Sequence, residues 1–142
     1  MQAHSIKGDS PQQIQNKISN LKKEGFQPTL AFAFASESQE RKKLCAVLDN
    51  ENISIFGATT AGEFIDEEME DSSIVVLLLD LDRNHFRLFF KESGPGKDRE
   101  IASQIAQDAV ETFNNPVFIV SGSGMEPDGE MIVRGILDKC GP

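Results

Sequence analysis

The stretch ISIFGATTAGEFI, residues 53–65, begins as a buried strand and turns polar halfway along. Ile53, Ile55 and Phe56 supply the apolar half. Gly57, Thr59, Thr60, Gly62 and Glu63 interrupt it with two positions that allow close backbone approach or positive φ, two hydroxyls and a carboxylate. Adjacent threonines on a strand point to opposite faces, so only one of Thr59 and Thr60 can face a core. Glu63 is either at the surface or paired, because an unpartnered buried carboxylate costs several kcal/mol. A bulge at a strand end accounts for the glycines. It does not account for the hydroxyls and carboxylate gathered around them.

Upstream, TLAFAFAS (29–36) sets Leu30, Phe32 and Phe34 against alanines, the pattern of a strand covered on both faces. Before it, Ser10, Pro11 and Gln13 form a helix start of the capping-box type, with Ile14, Ile18 and Leu21 on one face until Gly25. Between the two strands, residues 37–50 read as a connecting helix with Leu44, Val47 and Leu48 on one side. SIVVLLLDL, a DRN turn and HFRLFFKES read as two antiparallel strands. After GPGKD, the residues Ile101, Ile105, Ala109 and Phe113 mark a long amphipathic helix. PVFIVSG then reads as a strand and 128–139 as a helix. The expected order is αβαβββαβα, an α/β fold with a mixed sheet and helices packed on it. Residues 1–9 read as a flexible tail and 10–142 as a single α/β domain, truncated at its C-terminal side.

Composition narrows the function. The 142 residues carry 14 Lys and Arg against 23 Asp and Glu, a net charge of −9 with no basic stripe, which argues against nucleic acid as a partner. The most apolar run, Ile74 to Leu79, is far short of the roughly 20 residues of a membrane helix. No secretory signal opens the chain, so a cytoplasmic location is expected. Cys45 and Cys140 have no close Cys or His partner and read as reduced core residues. DLDRN at 80–84 has calcium-loop spacing but His85 where Gly is needed and Lys91 where the bidentate Glu is needed, so it reads as a turn. SGSGMEPDG (121–129), with Ser123, lies between a strand and a helix and could cradle an anion. Pro127 replaces the third Gly of a dinucleotide fingerprint, no Walker lysine follows, and a plain connecting loop is the simpler reading. DEEMED (66–71) reads as a solvated loop tip. His4 and His85 lack the company of a catalytic base.

FASES (34–38), IFGATTAGEF (55–64) and SIVVLLLDL (73–81), in that order, resemble the FIST domains, named for F-box and intracellular signal transduction proteins. GATTAGE is close to the family's Gly-Cys-Ser/Thr-Thr-Ala-Gly-Glu segment, and DGEMIVRGI (128–136) is similar to its Asp-Gly helix start. The resemblance covers about residues 29–140. It implies the N-terminal half of a bacterial sensory module that binds a small polar ligand such as an amino acid, needs no cofactor, and works with a C-terminal FIST domain and a signal-output module. Ala58 departs from the family's Cys, which removes a thiol-based redox or metal role there.

On this reading Ser36, Gly57, Thr59, Thr60, Gly62, Glu63 and Ser123 line a ligand pocket at strand ends, and signalling is a shift in population, not bond chemistry. One alternative is a hydrolase with Thr59 or Thr60 as nucleophile and Glu63 as general base, for which no His, Lys or Cys stands nearby in sequence. Another is a scaffold half whose ligand sits in the C-terminal domain. A sheet edge left open by truncation would favour a homo-oligomer.

Overall fold

A computed structural model describes residues 1–60, 63–65, 68–70, 73–92, 94–122 and 128–141, the short strands at 63–65 and 68–70 as backbone alone. The chain divides into two compact units, Met1–Leu88 and Phe89–Pro142.

The first unit is built on strands β1 (Gln2–Gly8), β2 (Leu30–Ser36), β3 (Ser54–Thr60) and β6 (Ile74–Asp80), with helices α1 (Pro11–Lys23) and α2 (Arg41–Asn50). The sheet order is β1-β6-β2-β3. β2 and β3 are parallel, and β6 runs antiparallel to both of its neighbours, β1 and β2. The fold is therefore α/β with a mixed sheet. One face of the sheet carries Ala31, Ala33 and Ala35 of β2, which pair in register with Leu78, Val76 and Ile74 of β6. These residues form one buried cluster with Ile6, with Ile14 and Ile18 of α1 and with Leu44 and Leu48 of α2. Small alanines in the middle strand let the two helices approach, while the branched β6 side chains fill the space beside them.

Both helices are started and stopped by local chemistry. Ser10 Oγ accepts from Gln13 N (3.4 Å), and Gln13 Oε1 reaches back to Asp9 N (3.1 Å), one residue earlier than a regular capping box would place it. At the other end of α1, Gly25 sits at φ 95°, Phe26 N donates to Leu21 O and Gly25 N to Lys22 O. α2 ends the same way, with Asn52 at φ 58°, Ile53 N donating to Leu48 O and Asn52 N to Asp49 O. These are two Schellman stops, and each delivers an apolar residue into the core ahead of the next strand, Phe26 a few residues before β2 and Ile53 immediately before β3.

Strands β4 (Glu63–Ile65) and β5 (Glu68–Glu70) pair antiparallel as a separate hairpin. The long strand expected over 53–65 thus ends at Thr60, and part of the expected acidic loop tip is β5. The expected tail is a further correction: Gln2–Gly8 form β1, an outer strand in which Gln2, Ala3, His4 and Ser5 are exposed while Ile6 and Gly8 are buried. Its apolar content is too low for periodicity to reveal it; backbone pairing with β6 makes it a strand.

β6 also explains why HFRLFFKES is not its hairpin partner. Both of its edges are taken, so the DRN turn becomes a short 3-10 turn, Arg83–His85, with Asp82 Oδ1 accepting from Asn84 N, and residues 86–92 follow without regular structure. Residues 116–122 likewise form no strand, and Val117 is 91 % exposed. Cys45 and Cys140 are exposed free thiols, not core residues.

The second unit contains α3 (Asp98–Thr112) and α4 (Gly129–Cys140). Among the described residues its buried positions are Ala102, Ala106 and Ala109 of α3 and Gly135 of α4; of the stripe that periodicity suggested, Ala109 is buried, while Ile101, Ile105 and Phe113 are only half-buried. The reason is close approach. A Cβ on Gly135 would lie 2.4 Å from Arg99 O and 2.8 Å from Ala102 Cβ, so the contact admits only small side chains.

Candidate functional site

The three strands that run the same way, β1, β2 and β3, bring their carboxyl ends to one edge of the sheet. There the parallel register pairs Ser36 with Thr60, Ala35 with Thr59, and Ala33 with Gly57. Paired residues of neighbouring strands share a face about 4.8 Å apart, so Ser36 and Thr60 stand side by side, whereas Thr59 lies on the face that carries Ala35. Thr60 is half-buried and Thr59 exposed. The structure therefore joins two of the residues singled out in the sequence and separates a third from them.

Ser36 is held firmly. Its N–H donates to Ser73 O (3.2 Å), its carbonyl accepts from Gln39 N (3.0 Å), and its Oγ lies 3.0 Å from Ser38 Oγ. Ser73 itself is buried. Gln39 Nε2 donates to Asp9 O (3.3 Å), which ties the loop after β2 to the loop after β1. Ser38 and Gln39 are thus part of the strand-end rim, and the alternating polar residues after the apolar run of β2 were the signal that could have marked them. Just beyond, the first turn of α2 bears the exposed cations Arg41, Lys42 and Lys43 and no acid; Lys43 pairs with Glu40 (2.6 Å).

Gly57 acts through space, not φ. A Cβ there would lie 1.9 Å from Ala33 O, so glycine is what allows β3 to run against β2 immediately before the threonines. Glu63 begins β4, opposite Glu70 on β5, and β4 approaches β2 and β6. Gly62 and Ser123 lie outside the described residues, as does the Glu63 side chain. Two shallow grooves occur elsewhere, one of about 320 Å³ between α1 and α2 that includes Ser10, Lys43 and Asn50, and one of about 650 Å³ on the second unit beside Arg99 and Asp138. Neither contains Ser36, Thr59 or Thr60. Among the described residues no group of His, Cys, Asp and Glu has the arrangement of a metal site.

Arg99 and Asp138 make a two-pronged ion pair joining α3 to α4, with both N–O distances at 2.8 Å. Its hydrogen bonds and charge hold the Asp138 carboxyl below the usual aspartate range and raise the Arg99 guanidinium further. Asp128 Oδ1 caps α4 by accepting from Glu130 N and Met131 N, and Asp128 N donates to Asp98 Oδ2. This cluster is structural. It fixes the start of the helix that DGEMIVRGI announced.

An α/β sheet whose polar residues gather at the carboxyl ends of parallel strands is an architecture suited to holding a ligand at a strand edge. A family model for the FIST N domain matches residues 29–142, and the chain belongs to that family of sensory, signal-transduction domains. Neither the comparison with curated proteins nor that with solved structures found a match. No helix among the described residues is long and apolar enough to cross a membrane.

Proposed function

We propose that the chain is a cytoplasmic, bacterial ligand-sensing domain that binds a small polar molecule, such as an amino acid, at the carboxyl ends of β2 and β3, and that it is not an enzyme. The observation that carries this reading is the pairing of Ser36 with Thr60 at those strand ends, with Gly57 permitting the close approach of β3 to β2. The two hydroxyls can each donate and accept, and Glu63, three residues past Thr60, supplies a carboxylate for an amine. A charge-assisted hydrogen bond of that kind is worth roughly 1.5–3 kcal/mol. Gly62, in the same segment as Thr60 and Glu63, belongs to the site in this proposal. Binding shifts the populations of two domain states, and a C-terminal FIST domain and a signal-output module read the shift.

A thermal-shift screen of amino acids and small polyamines tests this. Ligand at about 100 times its Kd adds roughly 2.7 kcal/mol and raises Tm by several degrees. Glu63→Gln and Thr60→Val should each remove the shift, and circular dichroism should show both variants folded. A shift that survives both substitutions moves the ligand elsewhere. A response seen only with the C-terminal domain attached makes this half a scaffold, and Glu63-dependent ester or amide turnover replaces the sensor reading with a hydrolase.

A further inference from the structure

We draw no further inference here: the strongest candidate, the apolar face of the four-stranded sheet turned away from α1 and α2, where Phe32 neighbours Phe56 and Leu77 in register and Phe34 is 37 % exposed, carries nothing because nothing in the structure shows what covers it.

Discussion

Gly25 and Asn52 do the same work with different residues, and that makes them a test of the Schellman stops. Both sit at positive φ. No atom would crowd a Cβ at Gly25, so Gly25→Ala should cost only the left-handed strain, about 1–2 kcal/mol. Asn52→Gly relieves strain but loosens the unfolded chain, and we expect a change within about 0.5 kcal/mol of zero. Urea unfolding of the two variants distinguishes them; a costless Gly25→Ala would mean that the stop is not needed. Gly57 is a different case, since its substitution fails for lack of space. Gly57→Ala pushes a Cβ into Ala33 O and should destabilise by about 1–3 kcal/mol or more, with loss of β3 amide protection as the diagnostic. The sequence made Gly57 conspicuous without saying which of its two properties mattered. Only the register of β2 on β3 shows that it is close approach, and the same register shows why Thr60, not Thr59, stands beside Ser36.

Helices α1 and α4 could be read from their caps, because Ser10, Gly25 and Asp128 act on backbone groups within a few residues of themselves, whereas α2, whose N-cap Glu40 makes no side-chain bond, was legible from Leu44, Val47 and Leu48 on one side. Strands were harder, since pairing partners are remote in sequence. FRLFF has the composition of a strand but finds β6 already flanked, and polar QAHS becomes a strand because β6 offers it an edge. In the α3–α4 pair, Gly135→Ala weighs two opposed effects. Helix propensity favours Ala by about 1 kcal/mol, but the new Cβ meets the Arg99 carbonyl, and overpacking of about 1–3 kcal/mol should win. A more stable Gly135→Ala helix pair would show that α4 can shift outward freely. The Arg99–Asp138 pair adds a pH dependence of definite sign. Because the folded-state pKa of Asp138 is lowered, its contribution is complete above the ordinary aspartate value of about 4 and is lost as pH falls through the lower folded value. Both side chains are partly exposed, so the effect is small and screened by salt. Amide protection in α4, taken relative to the intrinsic exchange rate at each pH, should fall on acidification through that range in the native protein and change less in Asp138→Asn.

Across the whole molecule, the family and the α/β class were visible in GATTAGE and in the alternation of apolar runs, whereas the division into two units was not, because the GPGKD break after Leu88 reads equally well as a loop inside one domain. β2 and β6 are the inner strands, and their in-register partners Ala33 and Val76, with Leu78, are buried. Their amides should exchange most slowly, with β1 and β3 faster. Leu78→Ala should cost about 2–5 kcal/mol, the usual toll of a large core truncation. Uniform protection across all four strands would contradict the inner and outer assignment. The position of β6 also sets a timetable for the newborn chain. β1 is made first, yet its ladder runs from Gly8 with Ile74 to Gln2 with Asp80, so the earliest strand waits for one of the latest. Translation at roughly 5–20 residues per second leaves that strand unmatched for several seconds while α1, β2, α2 and β3 emerge. Closing so long a loop makes insertion of β6 the natural candidate for the slow step of folding. Until residue 80 clears the ribosome, the alanine face of β2 has helices to one side of it but no neighbour on its β6 edge, and this is the interval in which a chaperone has something to hold.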